Sequence, residues 1–439
     1  MMMNENERPG AGGAALAEAV RAAMPMAGTL LDDLAQRTGG PKGITRTPWG
    51  DGEQYGHDLL AKAAAGMGLQ CTHDAAGNLY MTLPGREPKA PAWVIGSHVD
   101  SVPNGGNFDG AAGVIAGLAA IAALQALSIV PARNVRVMAI RAEEAGSWFS
   151  GAHGGHLGSR MALGLLDASE LDTAVRTDSG QTLRAHLLAA GCDPERIGKG
   201  RALLDPAGVH AYLELHIEQG PVLEQRGLPV GIVTSIRGNS RLRDPRCLGE
   251  YNHGGATPQS FRRDAVIATS ELVLAIDGKW RELESAGHDL IFTVGKVSTD
   301  PKLHSLSKVP GEVMFTLDIR SGDPAVLATM RAFVEAAAAD IAQRRGVRFE
   351  LGGFSISVPT VLDARLRQRL VSGAEALGLP AMEMASGGGH DAQEFMRAGI
   401  ASAMIFVRNA NGSHVANEGM TLDDLAAGVR LIAWMLADE

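Results

Sequence analysis

Residues Trp93–Leu127 read WVIGSHVDSVPNGGNFDGAAGVIAGLAAIAALQAL. An apolar run, Trp93–Val99, closes on His98 and Asp100, a glycine-rich turn follows, and Ala111–Leu127 is apolar over helical length. Strand, polar loop and helix in that order make half of an α/β unit. Gly113 and Gly117 break the helical run, which is too short for a confident membrane span and reads as a buried helix. Outward from this stretch, Asn78–Leu83, Val135–Arg141 and Ala211–Ile217 read as further strands, and Ala14–Ala23, Thr29–Arg37 and Gly56–Gly68 as helices. Helix Arg365–Leu377, strand Ser402–Val407 and helix Leu422–Ala437 continue the alternation near the end. The expected fold is α/β with a mostly parallel sheet.

The middle of the chain changes character. Val230–Arg237, Ile291–Val297, Val313–Ile319 and Val347–Leu351 read as strands, and Asp264–Asp277 and Pro324–Arg345 as helices. The order β-α-β-β-α-β is the split βαβ, ferredoxin-like pattern. The expectation is a catalytic domain in two parts, 1–229 and 356–439, with an α+β lid or dimerisation domain inserted at 230–355.

Composition narrows the function classes. With 439 residues, 45% hydrophobic and 20% charged, the chain can bury a large core. Lys+Arg is 40 against Asp+Glu 49, a net charge of −9, which argues against nucleic acid or an anionic membrane as partner. Cys71, Cys192 and Cys247 share no metal-ligand spacing and build no disulfide framework, so a cytoplasmic protein is expected. The start, MMMNENERPGAGG, has no signal-peptide pattern, and its first ten or so residues are expected to be disordered.

Polar chemistry gathers at strand ends. On the first strand, Asp100 can orient one nitrogen of His98 while the other binds a metal, although an isolated pair would more often cap a strand. Asp109 sits at the start of the Ala111 helix, where an anion is favoured, near the carboxyl ends of the strands. Strand Val135–Arg141 runs into Glu143-Glu144; adjacent strand positions face apart, so one can bind metal while the other acts as general base, and a solvated acidic pair is the plain alternative. Strand Ala211–Ile217 sets Tyr212, Glu214, His216 and Glu218 on one face, with His216 a further imidazole ligand. His414 follows the last strand, with Glu418 four residues on. A His/Asp/Glu set without cysteine suits zinc, or manganese and cobalt in the same geometry. Five ligands exceed a closed structural site, which suggests two metals sharing a carboxylate.

The strings GSHVDSVPNGGNFDGAAGV, RAEEAGSWF, GSRMALG, AYLELHIEQGPVLE, SGGGHDA and NGSHVANE resemble the hydantoinase/carbamoylase branch of the dinuclear zinc amidohydrolases, within the clan of zinc aminoacylases and carboxypeptidases. The resemblance covers nearly all of the chain after about residue 40. It implies two divalent metal ions per subunit, zinc first and Mn, Co or Ni as alternatives. His98 and His216 would hold one, Glu144 and His414 the other, with Asp109 bridging. It makes Glu143 the general base, Asp100 the residue that orients His98, and Gln219 a contact to the ureido group. From the inserted domain, His253 would stabilise the oxyanion, in relatives often across a dimer interface, and Arg320 would clamp the substrate carboxylate. The implied activity is hydrolysis of a linear ureido or N-carbamoyl C–N bond in a carboxylate-bearing small molecule, by a cytoplasmic homodimer.

Three departures bear on the substrate. Ser307 stands where many relatives carry an asparagine before the VPG turn, Trp148 stands where many carry an arginine, with an extra residue at Ala145-Gly146, and Val415-Ala416 follows His414 in place of Asn-Pro. His390 and Asp391 are expected to line the substrate pocket, whereas His153 and His156 are given loop or pocket-edge roles. Arg241, Arg243, Arg246, Arg262 and Arg263 read as a solvated face. The rival readings are an aminoacylase or dipeptidase of the same clan, against which Gln219 in HIEQG stands, and a catalytically silent metal-binding or scaffold protein.

Overall fold

In the computed structural model, residues 13–150 and 155–437 are described; the expected disorder of the first residues lies outside them. Strand Ala92–His98 pairs in parallel with Val135–Ile140 on one side and Val209–Ile217 on the other, and the latter pairs in parallel with Ser402–Val407. All seven residues of Ala92–His98 are buried, as expected for a strand covered on both faces. The flanks are antiparallel. Leu79–Leu83 pairs with Val135–Ile140 and Gln70–His73 with Leu79–Leu83, while Val230–Ile236 pairs with Ser402–Val407. The sheet is therefore mixed, which corrects the mostly parallel expectation. The tight turn between Gln70–His73 and Leu79–Leu83, with Gly77 at φ +83, leaves no room for the crossover a parallel pair needs.

Helix Ala111–Ala126 packs on the sheet between helices Gly13–Thr38 and Leu422–Ala437. Its apolar character all round follows from that burial. The two N-terminal helices read from the sequence are one, Gly13–Thr38 with Pro25 inside. The stripe of Leu16, Val20, Met24, Ala27, Leu31 and Leu34 runs through the proline without a break and is buried throughout. Gly113 marks where the central helix comes closest to the sheet. A Cβ there would lie 2.0 Å from the Leu215 carbonyl oxygen and 2.7 Å from Ser97 Cβ. Gly113→Val is expected to cost about 1–3 kcal/mol through overpacking, seen as a lower urea midpoint with an unchanged slope.

The chain divides into two compact units, one running to Thr234 and resuming at Leu362, the other spanning Ser235–Val361. The sequence reading set the junctions at 230 and 355. The first moves because Val230, Gly231 and Ile232 pair with Val407, Phe406 and Ile405 and so belong to the large sheet. Within Ser235–Val361, strands Gly238–Leu242 and Arg246–Leu248, helix Ala265–Ser285, strands Ile291–Thr293 and Val297–Ser298, strands Glu312–Phe315 and Leu317–Ser321, helix Pro324–Arg345, and strands Arg348–Glu350 and Ser355–Ser357 follow in order. All strand pairs among these are antiparallel. The unit has its own core, including Leu272, Ile276, Val313, Ile319, Met330 and Val334. Its expected solvated arginine face is laced with ion pairs: Arg241 to Asp318, Arg246 to Glu312 and Arg263 to Glu250.

Candidate active site

The carboxyl ends of the central strands bring together His98, Asp100, Asp109, Glu143, Glu144, His216 and His414. Asp100 is the hub of the first turn. Its carboxylate lies 3.4 Å from His98 Nδ1 and accepts the backbone N–H groups of Glu143 and Glu144, at 3.1 and 3.0 Å. The glutamate pair is thus not on a strand. Strand Val135–Ile140 ends, Ala142 takes a left-handed conformation, and Glu143–Ser147 forms a 3-10 turn anchored on Asp100. The two carboxylates still face different partners, as the chemistry requires.

His98 Nδ1 lies 3.1 Å from the Asp100 carbonyl oxygen and His216 Nδ1 2.9 Å from that of Ile217. A carbonyl only accepts, so both Nδ1 atoms carry the proton and both Nε2 atoms present lone pairs. Those Nε2 atoms lie 3.5 Å apart, and 3.4 and 3.1 Å from Asp109 Oδ1, a buried oxygen that accepts no hydrogen bond among the described residues. Two imidazole lone pairs and a carboxylate converging in a buried place repel one another unless a cation lies between them. The second group forms on the other Asp109 oxygen. His414 Nε2 is 3.3 Å from Oδ2 and 2.9 Å from Glu144 Oε1. Two candidate metal-binding groups therefore share Asp109: His98, Asp109 and His216, and Asp109, Glu144 and His414. The all-nitrogen-and-oxygen donor set fits a divalent ion such as zinc.

Electrostatics in the chain alone carry the same message. Burial pushes Asp109 up, but His216, His414 and His98 hold it well below the usual carboxylate range. Hydrogen bonds to Asp109 and Glu144 raise His414 to about 11, while burial lifts Glu144 to about 7. Burial also opposes ionisation of Glu143, yet His156 and His98 beside it hold its carboxyl at about 2.

Supporting contacts reach Asp109 from several elements. Gln219, at φ +64, donates through Nε2 to Asp109 Oδ2 at 2.8 Å, and Ser413 Oγ lies 2.5 Å from the same oxygen. Glu418 accepts the backbone N–H groups of Phe108 and Asp109 and a hydrogen bond from Ser413. Gly110, at φ +68, lets the loop pass His98, whose ring would sit 2.4 Å from a Cβ there. Arg46, fully buried, fixes that loop by donating to Val99 O and Asn107 Oδ1. Some fifty residues upstream of the loop, it carries no local sequence signal.

His390 is buried, 2.9 Å from Ser386 Oγ through Nε2, with its ring edge-to-face against His216 at 4.5 Å. It buttresses a candidate ligand. Trp148 is buried too, donating to Ser101 O at 2.8 Å, so it ties the loop to the strand end instead of presenting a face to substrate. His153 lies outside the described residues. His156, given a loop or pocket-edge role by the sequence, has its Nε2 3.0 Å from Glu143 Oε1.

The second unit holds the other three candidates. His253 is exposed on the short strand Asn252–His253, paired with Lys308–Val309, and Gly254 N donates to Ser307 O, so His253 and Ser307 are neighbours. His253 Nδ1 accepts the backbone N–H groups of Gly255 and Ala256, at 3.2 and 3.0 Å, which leaves the ring proton on Nε2. Arg320 donates through Nε and Nη2 to Asp318 Oδ2, at 3.1 and 2.9 Å.

The profile of peptidase family M20/M25/M40 matches residues 94–438, a span that contains every residue of both candidate metal groups. The chain belongs to this family. Enzymes of this family are metal-dependent hydrolases, and both candidate metal groups lie inside the matched span. The chain is 34% identical over 399 residues to N-carbamoyl-L-amino acid amidohydrolase of Geobacillus stearothermophilus, covering 90% of this chain and 94% of the relative. It is 34% identical over 377 residues to allantoate amidohydrolase of Escherichia coli, covering 85% and 88%. A crystal structure of a hydantoinase/carbamoylase family amidase from Burkholderia multivorans superposes with a TM-score of 0.85 at 32% identity, covering 94% of this chain and 97% of that one. No helix among the described residues is long and apolar enough to cross a membrane.

Proposed function

We propose that the protein is a two-metal amidohydrolase that cleaves the C–N bond of a linear ureido compound bearing a carboxylate, an N-carbamoyl-L-amino acid or an allantoate-like molecule. The observation that carries this is Asp109, shared between two ligand groups with Glu143 beside them. His98 and His216 would hold one ion, Glu144 and His414 the other. Divalent ions there supply Lewis acidity and a water acidified toward neutrality.

The chain's own residues do the rest. Glu143 takes the proton of the attacking water and passes it to the leaving nitrogen. Asp100 keeps the His98 tautomer and, through the Glu143 and Glu144 amides, the placing of both carboxylates. Gln219 contacts the ureido group. His253, with its proton on Nε2, has the donor an oxyanion needs. Arg320 meets the substrate carboxylate with a planar fork, and Ser307 and His390 shape what the pocket admits. The inserted unit is a ferredoxin-like lid and dimerisation domain, and the enzyme works as a cytoplasmic homodimer on a small molecule.

An aminoacylase or dipeptidase activity is not favoured: the similar proteins named above act on carbamoyl and allantoate substrates. Ammonia release from N-carbamoyl-L-amino acids and from allantoate, run beside amine release from N-acyl amino acids, separates the two. Turnover of a ureido substrate at least about tenfold above the acyl compounds in kcat/KM is the expected result, a difference of about 1.4 kcal/mol. Preference for the acyl compounds would move the protein to the aminoacylase side.

A further inference from the structure

We infer that His156 is a positioning residue for Glu143, fixing one carboxylate oxygen so that the other is left to carry the proton; this rests on Glu143 being the proton carrier. His156 Nε2 lies 3.0 Å from Glu143 Oε1, while Glu143 Oε2 faces the ligand cluster, 3.8 Å from His98 Nε2. The two oxygens thus have different neighbours. On its far side, His156 Nδ1 lies 3.1 Å from Gln393 Nε2 and 3.4 Å from Glu394 Oε1. Glu394 is itself buried and accepts from Gln393 and from Arg397.

The donor count holds in both charge states of the ring. In a neutral imidazole, the Gln393 amide donates to Nδ1, which leaves the single proton on Nε2, toward Glu143. In an imidazolium both nitrogens carry protons, with Nδ1–H facing Glu394 and Nε2–H again facing Glu143. Either way, Glu143 Oε1 receives a hydrogen bond and Oε2 does not receive it.

The backbone is arranged to place this ring. Three consecutive amides, His156, Leu157 and Gly158, donate to the carbonyls of Glu143, Ala142 and Arg141, at 2.8, 3.0 and 3.0 Å. His156 sits at φ +49, a left-handed conformation that a non-glycine residue keeps only where its surroundings fix it. Gly389 faces the ring; a Cβ there would be 2.9 Å from His156 Cε1 and Nε2. Helices Leu157–Ala162 and Asp391–Arg397 are also joined through Ser159 Oγ and Asp391 Oδ1, at 2.5 Å. Glu143 and Glu394 are thereby bridged by one imidazole between two otherwise separate elements.

The test uses metal-replete full-length enzyme. His156→Leu should lower kcat by about 10- to 100-fold, with KM and bound metal unchanged and the thermal melt retained. His156→Gln, whose amide N–H can still donate to Glu143, should recover most of the loss. In a Glu143→Ala background, His156→Leu should have no further effect. Heteronuclear NMR of the histidine ring nitrogens should find the His156 proton on Nε2, with a signal that moves in Glu143→Gln. Wild-type kcat in His156→Leu overturns the inference, as does an equal loss with and without Glu143. Full turnover in Glu143→Ala alone is a different failure, since it removes the proton-carrier role itself.

Discussion

A Glu143→Ala protein is expected to keep its bound metal and to lose about 100- to 10,000-fold in kcat, the range general acid–base catalysis contributes. Glu143 touches neither His414 nor Asp109 among the described contacts; its oxygens face His156 and His98. Truncation therefore removes the proposed proton carrier and spares the candidate ligands. The backbone of the turn stays tied to Asp100 through the Glu143 and Glu144 amides, so the fold of the loop does not depend on the side chain. KM should change little, because the role proposed for the lost group is on the water and the leaving nitrogen and not on substrate binding. Metal analysis and steady-state kinetics on the same preparation check the prediction. A near wild-type rate, or loss of metal, would remove Glu143 from its role.

Asp109→Ala should be the more damaging change, abolishing turnover and releasing metal from both groups at once. One carboxylate oxygen faces His98 and His216 and the other faces His414, so no other side chain stands in both groups. His98→Ala, by contrast, touches only one. Binding to the folded state raises stability by about 4 kcal/mol when free metal is a thousandfold above Kd. Chelation should therefore lower the melting temperature of the wild type and leave Asp109→Ala unmoved. Retention of a full metal complement by Asp109→Ala would show that the two groups do not depend on the shared residue.

The candidate ligands were legible because His98 and His216 lie at strand ends and Asp109, Glu144 and His414 follow strands closely, and strand ends are where an α/β sheet collects polar groups. His98 and His216 are 118 residues apart, yet the parallel pairing of their strands delivers them to one edge, where the loops holding Asp109 and His414 meet them. The sheet's flanks were harder to read. Leu79–Leu83 and Val230–Ile236 look like any buried strands, and pairing direction is set by connection length and not by composition. The helix over Gly13–Thr38 reads as two in the sequence; Pro25 lies in the gap between them, and the buried stripe runs through it.

His156 was read only as a loop or pocket-edge residue, without its contact to Glu143, for a different reason. Its segment has no helical or strand periodicity to aim a side chain, and its partners Gln393 and Glu394 lie more than two hundred residues on. The carboxylates of the glutamate pair face apart as expected, but a 3-10 turn, not strand alternation, carries them.

The most direct test of the central claim is a metal titration of chelator-stripped protein, following ammonia release from an N-carbamoyl-L-amino acid or allantoate. The account predicts no turnover in the stripped protein and full activity only as two equivalents of divalent metal bind per chain, in line with two ligand groups on one carboxylate. Turnover that survives chelation, or that saturates at a single equivalent, would contradict it.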